Sequence, residues 1–390
     1  MSLTLRCRCG RSFAIPESLI GRSVRCRCGR VLRVRGVRTS HGGNRLRHLR
    51  RAVVSHLKRP IREGPRRYVW RIAVAYFAAC VIAWPFLYGL GDRWWPATLL
   101  LFGPRWVLLL PLLVLVPAAL TLLPRALVLL GAGALVVAGP VMGFAFDWRP
   151  GRARADADFR IVTLNMQGGL GLGSAEAIGT AMSSWRADIV VLQECPLAAT
   201  ELATLTPLAT HARDGLCLVT RFPIEAIDSL PVWRIGQLGQ SGSVARYDLS
   251  IGGRLLHLTN LHLDTPGRGL EMVRERADPE LLASNIEVRE IAARRAANWV
   301  TAAGSPALVA GDFNMPVESA IFRRYWSHFD DAFARAGRGY GGTRVLRWFR
   351  ARIDHVLSTP ELAAVRATVG EDVGSDHLPL IVDYAWNHDD

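Results

Sequence analysis

Residues 68–146 are almost uninterruptedly apolar, and no other feature constrains the fold as much. About 20 apolar residues suffice to cross a hydrocarbon core of about 30 Å, so this stretch holds more than one span. Residues 69–90 form the first expected span, with Trp70 and Tyr88 near its ends as interfacial aromatics. Residues 107–123 and 126–146 form the second and third. Between the first two, Trp94, Trp95, Pro96 and Trp106 surround a short apolar run that suits an interfacial loop, and Arg105 would be costly at mid-membrane. The competing reading makes the second stretch, with Pro111 and Pro117, part of a re-entrant hairpin; that gives two spans and leaves the C-terminal part in the cytoplasm. No apolar stretch begins near Met1, which argues against a secretory signal peptide.

The net charge of +15 raises the question of nucleic acid, but its distribution answers differently. Residues 1–67 carry 19 Lys and Arg against two acids, Glu17 and Glu63, so the arm is +17 and the remainder is −2. A basic arm beside an apolar span follows the positive-inside rule and attracts anionic lipid. With the arm inside and three spans, everything after residue 146 lies outside the cytoplasm. The regions expected are a cysteine module at 1–35, a basic linker at 36–67, a transmembrane region at 68–146, a tether at 147–158 and a folded domain at 159–386. A tether of about a dozen residues reaches at most roughly 40 Å, which holds that domain near the lipid head groups.

Four of the seven cysteines fall in a duplicated hexapeptide, Arg6-Cys7-Arg8-Cys9-Gly10-Arg11 and Arg25-Cys26-Arg27-Cys28-Gly29-Arg30. Cys7, Cys9, Cys26 and Cys28 are the expected ligands of one structural Zn²⁺, since four thiolates close a tetrahedral site and leave no open position for chemistry. The stretch resembles small bacterial zinc-ribbon modules. It departs from them in having one residue inside each pair where two are usual, so disulfides are the competing reading. Cys195 and Cys217 read first as small buried hydrophobes, with a disulfide between them as the alternative outside the cytoplasm. Cys80, inside the first span, reads as packing.

From residue 159 onward, short apolar runs end repeatedly in polar residues. The series is Asn165 and Gln167; Gln193-Glu194; Asn260 and His262; Gly311-Asp312-Phe313-Asn314; Asp354-His355; and Ser375-Asp376-His377-Leu378-Pro379. One polar strand end is an ordinary cap or turn. Six in order supply what a phosphoester hydrolase needs: oxygen ligands for a hard cation, a base for water and donors for phosphoryl oxygens. Asp-x-Asn would put both side chains on one side of an extended segment. Residues 270–303, with Pro279, read as two helices whose charges form a solvated face. Trp348 and Phe349 read equally as a substrate rim, a lipid contact or core.

In order and spacing these motifs, together with residues 215–224, resemble the endonuclease/exonuclease/phosphatase superfamily over residues 159–386. The resemblance implies an α+β fold, a two-layer β-sandwich flanked by helices of the DNase I-like kind, preceded here by transmembrane helices and the zinc-ribbon-like module. It implies that Glu194, Asn165 and Asp376 hold Mg²⁺ or Mn²⁺, that Asp312 orients or deprotonates water and that Asn314 holds the phosphate. His377 would donate to a phosphoryl oxygen with Asp354 fixing its tautomer, and His262 would be a second donor. Gln167 stands where many nucleases of the family carry an acid or Arg. The whole arrangement resembles a membrane-anchored bacterial branch linked to glycopeptide resistance that acts on polyprenyl pyrophosphate or related lipids. The expected function is therefore hydrolysis of a lipid-linked phosphate or phosphodiester by a multi-pass protein of the bacterial inner membrane, with its N-terminus cytoplasmic and its catalytic domain extracytoplasmic. No obligate protein partner is implied. A nuclease is the first alternative, disfavoured by the near-neutral domain, and an inactive binding protein is the second.

Overall fold

The computed structural model describes residues 2–16, 18, 21–34, 64–146, 157–167, 175–235, 239–240, 242–276 and 279–387. Most of the expected basic linker and of the tether lie outside the described residues. The chain divides into two compact units, Met1–Arg62 and Glu63–Asp390.

Among its described residues the first unit holds two small hairpins. Strand β1 (Ser2–Arg6) pairs with β2 (Ser12–Pro16), and β3 (Ser23–Arg25) with β4 (Val31–Arg33). The turns repeat bond for bond: Cys7 N donates to Arg11 O and Gly10 N to Cys7 O, as Cys26 N does to Arg30 O and Gly29 N to Cys26 O. The sequence duplication is thus a duplicated turn.

The second unit begins with three helices long and apolar enough to cross a membrane: Pro65–Leu90, Arg105–Leu122 and Pro124–Val141. The second opens with a 3-10 turn over Arg105–Leu109, and the third ends in a π-turn over Val137–Val141. A short helix, Trp95–Phe102, fills the expected interfacial loop. Ala73, Tyr76 and Cys80 of the first helix pack against Ala119 and Leu130 of the others. Outward-facing Leu113, Val114 and Leu135 are 73, 71 and 71% exposed, an apolar surface that water would not favour.

The remaining strands build two six-stranded sheets. The strands are β5 (Phe159–Asn165), β6 (Ile189–Gln193), β7 (Ala209–Arg213), β8 (Leu216–Thr220), β9 (Ile224–Leu230), β10 (Arg234–Ile235), β11 (Gly239–Gln240), β12 (Ser243–Ile251), β13 (Arg254–His262), β14 (Ala307–Asp312), β15 (Asp330–Asp331), β16 (Arg344–Val345), β17 (Arg350–Ala351), β18 (Asp354–Ser358), β19 (Leu362–Val369) and β20 (Leu380–Trp386). One sheet has the order β15-β18-β14-β13-β12-β9 and the other β19-β20-β5-β6-β8-β7, while β10-β11 and β16-β17 are separate hairpins. Ile161, Val191 and Leu218 of one sheet meet Tyr247, Leu258 and Ala310 of the other. The outer faces are covered by helices, Ala293, Ala296 and Val300 on one side and Met182, Trp185 and Leu202 on the other. With both faces covered, β6, β8 and β14 are buried along their whole length, which is why they read as continuous apolar runs. This is the expected α+β sandwich.

One expectation changes, and a second buried charge accompanies it. Helices Gly267–Arg276 and Pro279–Ala302 form as read, but their charges are not all solvated: Arg289 is 1% exposed. It donates to Asp92 Oδ1 at 2.9 Å and to Asn314 O at 3.3 Å, lies over the Phe102 ring, and shares Asp92 with the Ser319 hydroxyl. Arg105 is likewise neither exposed nor unpaired. It is 2.9 Å from Glu318 and donates to Val141 O at 2.7 Å, with both side chains buried. Arg323 reaches the Tyr88 carbonyl, and Ala145 and Gly339 exchange backbone bonds of 2.8 and 2.9 Å. The end of the first apolar helix, the start of the second and the end of the third therefore all meet the sandwich. Sequence periodicity cannot reveal such pairs, because each joins residues about 200 positions apart in the chain.

Removing one partner of a buried ion pair strands the other charge and costs about 3–5 kcal/mol. Arg289→Met in the full chain should lower stability by that order, and Asp92→Leu with Arg289→Met should restore part of it. Chemical denaturation of wild type, both single variants and the double variant measures the coupling; strictly additive effects would refute a shared pair.

Candidate active site

Sheet register, rather than any one motif, assembles the polar strand ends. Because β13 and β14 are parallel and β18 is antiparallel to β14, His262 pairs with Asp312 and Asp312 with Asp354 across three neighbouring strands. Gly311 permits this closeness, since a Cβ there would lie 2.0 Å from Leu261 O. In the facing sheet Asn165 pairs with Gln193, and Glu194 follows. Strand β20 enters antiparallel to β5, which brings Ser375-Asp376-His377 to the same end. Ser375 fastens that loop, donating from Oγ to Asn165 O at 2.7 Å while accepting from His377 N at 3.1 Å.

Asp312 is fully buried. Its Oδ1 accepts from Asn314 N at 2.8 Å, and its Oδ2 accepts from Asn165 Nδ2 at 3.0 Å and Asn314 Nδ2 at 3.2 Å. His262 Nε2 and His377 Nε2 lie 3.7 and 3.9 Å from Oδ2. Burial and then the Asp354 charge push the Asp312 carboxyl upward, against the pull of the two histidines. A base with a raised pKa takes a proton more readily near neutrality.

His377 Nδ1 and Asp354 Oδ2 are 2.8 Å apart, close enough for the carboxylate to fix the ring's tautomer. Burial opposes a charge on the ring, but Asp354 outweighs it and the His377 pKa rises to about 9. Burial likewise opposes the charge on Asp354, yet His377 holds that carboxyl below its usual range. One residue here was not singled out in the sequence. Arg344 Nη1 is 2.9 Å from His377 Nε2, and Arg344 Nη2 is 2.8 Å from Asp376 Oδ2. Arginine has no acceptor, so the first contact is a hydrogen bond only to the bare nitrogen of a neutral ring. A proton and Arg344 thus compete for Nε2. Nothing local marks Arg344; it arrives on the hairpin β16-β17, which bridges to His377.

The amides differ from expectation. Asn165 Oδ1 is taken by Gln167 N at 2.9 Å, so its nitrogen faces the carboxylates and donates to Glu194 Oε1 at 3.1 Å as well as to Asp312. In this arrangement its amide nitrogen orients the carboxylates, while Oδ1 keeps a second lone pair. Asn314 has φ +53°, so Asp-Phe-Asn is a tight turn and not an extended segment. Its Nδ2 is held by Leu263 O at 2.9 Å. Gln167 and Glu194 also have positive φ, +50° and +49°, a conformation that non-glycine residues seldom adopt and that clusters at functional sites. Beneath them lies a buried network of two residues that the sequence placed in the polar series without a role: Gln193 Nε2 donates to Asn260 Oδ1 at 2.7 Å, and Asn260 Nδ2 donates to the carbonyls of Leu192 and Cys217 at 3.1 Å. It ties the two sheets together under the site. Cys195 and Cys217 form a disulfide, in place of the two separate packing residues first read.

The donor set fits a hard cation. Asp354 Oδ1 and Asp376 Oδ1 are buried with no hydrogen-bond partner, Glu194 is partly exposed at the same end, and Asp312, Asp354 and His377 offer atoms all within 4.8 Å of one another. In the N-terminal unit, Sγ atoms of Cys7 and Cys28 are 3.7 Å apart and those of Cys9 and Cys26 3.8 Å, with all four within 4.8 Å of one another. A tetrahedron with bonds of about 2.3 Å has edges of about 3.8 Å, so the four thiols fit zinc.

Residues 162–377 match the Endonuclease/Exonuclease/phosphatase family. The chain belongs to that family. Its members are hydrolases of phosphoester bonds and typically depend on a divalent metal. Similar solved structures include a family protein of Bacteroides thetaiotaomicron (18% identity, 59% of this chain and 98% of that one, TM-score 0.47). A mannosyl-6-phosphatase of the same organism gives 15%, 58%, 100% and 0.43, and truncated TDP2 of Caenorhabditis elegans gives 18%, 58%, 97% and 0.42. None of the curated proteins matches.

If protonated His377 serves turnover, activity is present below about pH 9 and is lost as pH rises through that value. Asp354→Asn removes the charge that sustains the proton. It should move the alkaline limb of kcat to lower pH and reduce kcat by about 10²-fold or more. A pH profile of phosphoester hydrolysis for both proteins is the check, and an unmoved limb would refute the pairing.

Proposed function

We propose that the protein is a membrane-anchored, divalent-metal-dependent hydrolase of a lipid-linked phosphate or phosphodiester, acting outside the cytoplasm. One observation carries this reading. The site residue Asn314 is joined through Arg289 to Asp92, which follows the first membrane-length helix. The reacting centre thus sits beside the segment that would enter the bilayer, where a lipid substrate would present its phosphate.

A bound Mg²⁺ or Mn²⁺ would neutralise phosphoryl oxygens and lower the pKa of water. Glu194 and Asp376 would hold it, with Asn165 aligning Glu194. Asp312 Oδ2 would accept the proton of water as its oxygen bonds to phosphorus and the bond to the leaving oxygen breaks. Asn314, through its turn, would keep Asp312 in place. His377, oriented by Asp354, would donate to a phosphoryl oxygen, and His262 would donate to the leaving group or the phosphate.

The topology rests on independent supports. The basic arm favours a cytoplasmic N-terminus, three apolar helices reverse the side, and the Cys195–Cys217 disulfide, next to Glu194, favours an oxidising compartment. Zinc in the four-cysteine module would be structural.

Phosphate release from polyprenyl pyrophosphate and cleavage of a generic phosphodiester, each with Mg²⁺ and with EDTA, test the proposal. Metal-dependent release from the lipid should fall at least about 10³-fold in Asp312→Ala. Cleavage of the diester alone would move the substrate class away from lipid pyrophosphates, and silence on both would overturn the hydrolase reading.

A further inference from the structure

A second charged feature lies outside the catalytic residues. At the edge where β15 and β18 border one sheet and β19 borders the other, a cleft of about 560 Å³ is lined by Arg338, Arg350 and Arg366, with Phe333 and Tyr340 among its apolar walls. No acid lines it. Arg350 and Arg366 are exposed, and among the described residues neither forms an ion pair. Gly341 shapes the wall: at φ +68° its hydrogen faces the Phe333 ring, and a Cβ would come within 2.4 Å of it.

Arg350 and Arg366, both exposed and without an ion pair among the described residues, repel each other across one cleft, and an anion between them removes that cost. Their planar forks match phosphate oxygens in pairs, which an ammonium would not. The size suits a head group. Position narrows the source of the phosphate. Tyr340, in the wall, stacks near Phe144 with ring centroids 6.0 Å apart and accepts from Arg105 Nη2 at 3.5 Å. Gly339, its neighbour, bonds to Ala145. These partners stand at the start of the second membrane-length helix and just past the end of the third. The cleft therefore opens where head groups would lie, and none of the residues assigned to hydrolysis lines it.

We infer that this cleft binds the phosphate of an anionic glycerophospholipid and seats the sandwich on the membrane beside its own active site. The lipid source rests on the membrane reading above, whereas the anion site itself does not. Such a contact would fix the tilt of the site toward the bilayer without taking part in the chemistry.

The test uses the full chain in neutral detergent and native mass spectrometry, with phosphatidylglycerol, phosphatidylcholine and inorganic phosphate as probes. The basic arm is present in every variant, so its attraction for lipid cancels in the comparison. Wild type should retain one phosphatidylglycerol that Arg350→Glu/Arg366→Glu binds at least about tenfold more weakly, with phosphatidylcholine unaffected. Arg350→Gln/Arg366→Gln should weaken it less, and because both side chains are exposed, neither variant should disturb folding. Equal retention of phosphatidylglycerol by wild type and both variants would overturn the site. Loss confined to inorganic phosphate would overturn the lipid assignment and identify a soluble phosphate as occupant. None of these readings depends on turnover, so failure of hydrolysis leaves them separately measurable.

Discussion

Asp312 is a carboxylate with no exposed surface, and an isolated charge in such a place would cost far more than a domain has to spare. The rest of the site can be understood as what makes that burial tolerable. Two amide nitrogens and a backbone N–H donate to it, and two imidazoles stand within 4 Å. Those donors in turn need anchors: Leu263 O for Asn314, Gln167 N for Asn165, Asp354 for His377. The sheet register delivers the members of this buried network, so the chemistry inherits its geometry from that register.

The same logic extends outward to the apolar helices. Arg289 holds the Asn314 carbonyl but requires its own counter-charge, which comes from Asp92 in the loop after the first helix. Glu318 and Arg105 repeat the device a few residues away. The apolar segment is thereby more than a leash, because its polar ends complete charges that the sandwich buries.

How much of this was readable beforehand follows from the range of each interaction. Gly311-Asp312-Phe313-Asn314 and Ser375-Asp376-His377 announced themselves because turn chemistry and strand ends are local properties. The sandwich was readable because strands buried on both faces leave continuous apolar runs. Arg289, Arg344 and the Gln193–Asn260 network were not readable in these roles. Their partners lie on other strands and helices, and an arginine at helical spacing looks like any solvated arginine until the fold is known. Asn314 was placed on the correct loop but given an extended backbone; its left-handed φ, which asparagine adopts more readily than most residues, lets its N–H reach Asp312 Oδ1. The Cys195–Cys217 disulfide could be named only as an alternative until β6 and β8 were seen as neighbours.

The docking of Asp92 and Arg105 bears on what can be learned from the sandwich in isolation. Cut free ahead of β5, it would keep Arg289 and Glu318 yet lose both partners, and with them the Phe102 ring that roofs the arginine. The excised piece would carry a raw scar with one orphaned charge of each sign, and one of them grips the backbone of the active-site turn. Weak turnover by such a fragment would describe the scar, not the enzyme from which it was taken.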